Sequence, residues 1–163
     1  MIRKHKNFSR PKKAFEITRI KSENSLMELY GLKNKKEIWK TIAKVGYYRH
    51  RAMDLSKAPT EEQELFFTKL RALGLEVSSI SDVLALTVEN LLKRRLQTIT
   101  MQKKFANTMK HARQLIAHKL ILIDGRACSV PSYIVPVAEE SKLTLKPSTV
   151  KAKKEEVKTE VTQ

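Results

Sequence analysis

From Lys93 to Ile123 the chain runs for 31 residues with eight Lys or Arg and not one carboxylate. Such a stretch cannot fold into a surface whose charges neutralise one another. It must bury its aliphatic side chains and send its cations toward something anionic. The rest of the sequence is blocked in the same way. Residues 1–22 hold eight Lys/Arg against one Glu, and residues 33–51 hold seven against Glu37 alone. Residues 52–92 reverse the sign, with seven acids against Lys57, Lys69 and Arg71. The 163 residues carry a formal charge of +16, which points to a polyanionic partner: nucleic acid first, an anionic membrane surface second. No apolar run approaches the roughly 20 residues of a bilayer span. Met1 to Lys6 is followed by no apolar segment, so no secretory leader is expected. The one cysteine, Cys128, leaves neither an intrachain disulfide nor a Cys-rich zinc site.

Arg10-Pro11 disfavours helix before it, so residues 1–11 read as a basic arm. Helical spacing then predicts a helix over about 12–30, closed by Gly31. A second begins at Asn34, with Glu37 as the partner of a capping box, and stops at Pro59. A third starts on Thr60-Glu61-Glu62-Gln63, a second capping signature, and closes at Gly74. Residues 81–86 suggest a short turn. The stripe Val88, Leu92, Leu96 and Ile99 predicts one helix from Thr87 to about Lys104, and Asn107 or Thr108 caps the next, which runs to about His118. There the period changes from 3.6 to 2. Leu120 to Ile123, the turn Asp124-Gly125 and Arg126 to Val130 read as a hairpin, and Tyr133 to Val137 as a further short strand. Beyond Glu140 no aromatic residue or period remains. The expected fold is α+β and mainly helical: an arm (1–11), a helical lobe (12–90), a compact domain of two helices and a small sheet (91–140) and a disordered tail (141–163).

On the helix over 108–118, Met109, Ala112, Leu115 and Ile116 share one side. Lys110, Gln114 and His118 fall opposite, flanked by His111 and Arg113. The start at Asn107-Thr108 adds free backbone N–H groups for a phosphate. His111 and His118 share a face with no Cys or carboxylate on that helix, so no metal site is expected. Trp39 is expected in the core rather than stacked on a base, and Cys128 as a small buried hydrophobe. No nucleophile–base set is present, and no cofactor is expected.

Four motifs then carry a resemblance: Arg94-Arg95-Leu96-Gln97-Thr98, Ala112 through His118, Asp124-Gly125-Arg126 and Pro131-Ser132-Tyr133. Together they resemble the RNA-binding domain of the small-subunit ribosomal protein four family. Upstream, Tyr30 through Trp39 and Asp82 through Glu89 resemble its archaeal and eukaryotic branch. The resemblance covers about residues 10–138. It implies a structural constituent of the small ribosomal subunit, a primary rRNA binder that nucleates assembly and supports accurate translation. Its implied partners are small-subunit rRNA, small-subunit ribosomal protein five and messenger RNA where it enters the subunit; no membrane partner is implied, and the location is the cytoplasmic ribosome. The RNA-binding residues it implies, together with the charge blocks, are Arg3, Lys4, Lys6 and Arg10 in the arm, Lys12 and Lys13 just after it, and Lys33, Lys35 and Lys36 around the start of the second helix. In the compact domain they are Arg94, Arg95, Gln97, Lys103, Lys104, Asn107, Thr108, Lys110, His111, Arg113, Gln114, His118 and Lys119. Lys119 and Lys104 stand where relatives usually carry Gly, and the zinc-binding N-terminal cysteines of many bacterial members are absent. Two other readings use the same composition: the targeting module of an RNA-modifying enzyme, and a helix-turn-helix nucleic-acid regulator. The first needs a catalytic domain of about 150 residues, which the helical lobe does not supply.

Overall fold

The computed structural model describes residues 6–146. The long helix α2 (Lys35–Leu55) is its spine. Around it pack α1 (Ile17–Leu29), α3 (Thr60–Ala72), α4 (Ile80–Ala85) and α5 (Val88–Lys93). Val45, Tyr48 and Ala52 on α2 meet Phe67, Leu70, Leu75, Val83 and Leu91 to form the first aliphatic core. The compact domain follows: α6 (Leu96–Gln102), α7 (Met109–Ala117), strands β1 (Ile121–Ile123) and β2 (Arg126–Ala127), α8 (Val137–Glu140) and β3 (Leu143–Leu145). β1 lies between β2 and β3, antiparallel to each, with Leu122 opposite Ala127 and Thr144. Leu96, Ile99, Ile116, Ile121, Val135 and Leu143 fill the second core beneath the sheet.

A third cluster joins the two halves. Tyr30, Leu32 and Ile38 bury against Leu92, with Met109 alongside. Gly31 sits there with φ +57°, and a Cβ on it would come within 2.7 Å of the Met109 Cβ. Only glycine both adopts that backbone without strain and leaves room for α7. The Gly31 carbonyl accepts from Gln97 Nε2 at 3.1 Å, which fixes the lobes to each other.

Several expectations need correction. The helix expected from Lys12 starts at Ile17. The two capping boxes expected at Asn34–Glu37 and Thr60–Gln63 do not form, and Pro59 occupies the cap position of α3. Glu37 is drawn instead to two arginines far along the chain. The box that does form caps α4: the Ser79 hydroxyl accepts from the Asp82 amide. The Asp82 carboxylate accepts from the Ser78 hydroxyl and from the Ser78 and Ser79 amides, and these bonds hold its pKa down to about 2.

The single helix expected from Thr87 to Lys104 is two. At Arg94-Arg95 the backbone leaves the helix: the Leu96 amide donates to the Tyr133 carbonyl at 2.7 Å and the Val135 amide to the Arg94 carbonyl at 3.0 Å. Residues 133–137, expected as a strand, contribute only the bridge between Arg95 and Ile134. The return strand expected over 126–130 shortens to Arg126–Ala127. The expected boundary between residues 90 and 91 falls inside α5. The tail begins later than residue 141, because β3 completes the sheet and its Leu143 is buried in the second core. The expected tail residues 147–163 lie outside the described residues.

Candidate nucleic-acid interface

α7 presents the face that the periodicity predicts. Ala112 and Ile116 are buried, while Lys110, His111, Gln114 and His118 are exposed along the opposite side. Thr108 caps the helix, its hydroxyl accepting from the His111 amide at 3.1 Å. Asn107 and Thr108 are exposed, so the positive end of the helix is open to an anion.

Lysines stand at both turns that flank this face. α6 ends with Lys104 N–H on the Met101 carbonyl and Phe105 N–H on the Thr100 carbonyl. α7 ends with Lys119 N–H on the Ile116 carbonyl and Leu120 N–H on the Leu115 carbonyl. Both are Schellman closures, in which the residue at the turn takes a left-handed backbone. Lys104 has φ 60° and Lys119 φ 58°. A non-glycine residue in that conformation costs roughly 1–2 kcal/mol. Each lysine is exposed and places a cation beside a helix C-terminus, where the dipole favours it.

The arginines of the same acid-free block behave differently. Arg95 is 5% exposed. Its Nη2 donates to Glu37 Oε2 at 2.6 Å, and Arg113 donates to both Glu37 oxygens, at 2.9 and 3.3 Å. Burial alone would raise the Glu37 pKa, but the hydrogen bonds and charges of Arg113 and Arg95 outweigh it and hold the carboxyl below its ordinary value. Gln97 is buried and donates to the Gly31 and Met109 carbonyls. Arg94 donates to the Val135 carbonyl and pairs with Glu140 at 2.9 Å. Lys103 bonds the Glu140 carbonyl. Arg95 and Gln97, expected to touch RNA, are therefore internal braces, and Arg94, Lys103 and Arg113 are largely committed to the fold.

On the first lobe, Lys33 and Lys36 are exposed, and Lys35 pairs with Glu23 at 3.5 Å. Glu23 also accepts from Arg19 and from Trp39 Nε1. Burial pushes its pKa up, and these donors more than offset it, leaving the carboxyl below its ordinary value. Trp39, expected in the core, is half-buried instead and braces α1 on α2. Lys6 and Arg10 are exposed in the arm and Lys12 and Lys13 just after it, and the arm's Phe8 ring lies 6.1 Å from that of Trp39. Arg3 and Lys4 lie outside the described residues. Sequence reasoning missed Lys40 and Lys44, which continue the row of Lys36 up α2 at spacings of four residues, a periodic signal that was available.

Part of the chain matches a known domain family, and most of it aligns with known proteins. Residues 94–141 match the S4 domain family. The chain is 42% identical to small ribosomal subunit protein uS4 of Methanothermobacter thermautotrophicus over 149 residues, 88% of this chain and 87% of the relative. It is 40% identical to uS4 of Nanoarchaeum equitans over 155 residues, 90% and 86% of the two chains. With uS4 of Korarchaeum cryptofilum it shares 41% over 161 residues, 94% and 97% of the two chains.

Proposed function

We infer that this chain, which belongs to the family of small ribosomal subunit protein uS4, is a structural constituent of the small ribosomal subunit and binds its rRNA. The observation that carries the reading is the outward face of α7 with its flanking turns: Lys104, Asn107, Thr108, Lys110, His111, Gln114, His118 and Lys119 are all exposed and no acid lies among them. Lysines neutralise backbone phosphates and release counterions. The cap of α7 offers N–H donors to a phosphate, while His111, Gln114 and His118 offer donors to 2′-hydroxyls and base edges at helical spacing. A convex helix of this kind reads the shape of folded RNA, since the deep major groove of A-form duplex does not admit side chains.

Lys33, Lys36 and the cations Lys6, Arg10, Lys12 and Lys13 in and just after the arm, with Arg3 and Lys4, extend the contact to a second rRNA segment. The half-exposed Arg113 adds a cation at the margin while still bound to Glu37. In this reading the chain is a primary binder that nucleates subunit assembly. It lies beside small-subunit ribosomal protein five and messenger RNA where that enters the subunit, supports translational accuracy there, and works in the cytoplasmic ribosome with no catalytic activity, cofactor or metal of its own. What supports these finer points is family membership together with two separate cationic regions on the chain.

The test is Lys110→Ala/His111→Ala/Gln114→Ala, titrated against small-subunit rRNA. The three side chains are exposed, so the melting temperature stays within a degree or two. Affinity falls at least tenfold, the equivalent of about 1.4 kcal/mol. Unchanged affinity would remove α7 from the interface.

A further inference from the structure

Between the arm, the outward side of α2 and residues 131–134 runs an open groove of about 1280 Å³. It is separate from the face of α7, for none of Lys104, Lys110, His111, Gln114 or His118 lines it. Lys36, Lys40 and Lys44 form one wall. Four residues on a helix advance about 6 Å, so the three lysines rise in a row on one side of α2. Lys6 enters from the arm and Arg113 from α7. Among the described residues Glu37 is the one carboxylate lining the groove, and its oxygens are taken by Arg95 and Arg113. Arg95 lies in the floor, nine-tenths or more buried, with its Nε unpartnered. Tyr47 is 63% exposed at the rim, and Tyr133 lines the facing segment.

We propose that this groove takes an unpaired RNA strand, its phosphates along Lys36, Lys40 and Lys44 and a base stacked on Tyr47. The row of lysines advances by a step of the same order as the distance between consecutive phosphates of an extended strand. An exposed aromatic ring beside a cationic track is how proteins hold single strands without reading sequence. A duplex presents its phosphates on a convex cylinder and its bases inside, so it fits neither the concavity nor the ring. The convex α7 and the concave groove thus hold different forms of RNA. The proposal rests on the rRNA-binding reading above and adds a contact of another kind to it.

The test uses the full chain, a labelled twelve-nucleotide oligouridylate and a small-subunit rRNA transcript. Lys40→Ala/Lys44→Ala/Tyr47→Ala alters exposed side chains only, and its melting temperature shows that the fold is intact. It binds the oligouridylate at least tenfold more weakly than the unaltered chain, from two lost phosphate contacts and one lost stack. Lys110→Ala/His111→Ala/Gln114→Ala keeps oligouridylate affinity within twofold while losing the transcript. Tyr47→Ala alone weakens oligouridylate binding about fivefold or more without changing its salt dependence, because stacking displaces no counterions. If the groove variant binds oligouridylate like the unaltered chain, the groove proposal is wrong and the α7 reading stands. If the unaltered chain fails to bind the transcript, it is the rRNA-binding reading that falls.

Discussion

Two sets of cations come from one acid-free stretch and meet opposite fates. On α7 and its flanking turns, Lys104, Lys110 and Lys119 point to solvent. A few residues away, Arg95 and Arg113 turn inward and share the single carboxylate of Glu37, 58 and 76 residues away in sequence. Charge density alone does not separate them. Chemistry does: the arginine fork can bind a carboxylate through two bonds while part-buried, whereas a lysine loses more hydration on burial. The exposed lysines are available to phosphate, and the arginines hold the helical lobe to the RNA-binding domain.

The largest effect comes from breaking the inward set. Glu37→Gln leaves two guanidinium groups without their counter-charge, one of them buried. It should destabilise the fold by about 3–5 kcal/mol, read in a denaturant melt. If it costs less than about 1 kcal/mol, the arginines are not structural. The C-terminal boundary gives a smaller effect. A chain ending at Glu140 loses β3 and the burial of Leu143, and should be less stable than one ending at Lys146 by about 1.5–3 kcal/mol. Equal stability would mean that the sheet does not need its third strand.

The same comparison has a pH signature. Glu23 and Glu37 are both held below their ordinary value of 4.5 in the fold. As pH falls through 4.5 the unfolded chain takes up their protons before the folded one does, so stability present above 4.5 is lost below it. The melting temperature should drop between pH 5 and pH 3, roughly the window in which carboxylates titrate. Glu37→Gln should flatten that drop, and an equally steep drop in the variant would assign it to other groups.

Most of the fold was legible because it follows from period and punctuation. The apolar stripe of α7 and the glycines closing α1 and α3 mark their elements. Asp124-Gly125 marks the hairpin. What escaped was decided by partners remote in sequence. Nothing near Arg94-Arg95 announces that residues 133–135 will bond across it and split one helix into two. Glu37 looks like a capping residue until Arg95 and Arg113 arrive. Leu143-Thr144-Leu145 is too short to show a period, and only pairing with β1 makes it a strand. The outward face of α7 was legible from spacing alone, whereas the burial of Arg95 and Gln97 was not.

The smallest effect sharpens the comparison from the other side. Among the described residues four turns close a helix in the same way, two with Gly31 and Gly74 packed against other parts of the protein, two with Lys104 and Lys119 facing solvent. Lys104→Gly and Lys119→Gly should each relieve left-handed strain and stabilise the fold by about 1 kcal/mol at most, part of the gain being offset by the greater freedom of glycine in the unfolded chain. A loss of stability would mean that these lysines serve the fold.

The most direct measurement of the partition is the salt dependence of rRNA affinity in the variant Lys104→Gly/Lys110→Ala/Lys119→Gly. Three phosphate contacts should be lost, making the slope of log affinity against log salt shallower by roughly 2–3. The melting temperature should stay level or rise. An unchanged slope, or a fold that melts earlier while binding is preserved, would contradict the assignment of the outward cations to RNA and the inward ones to structure.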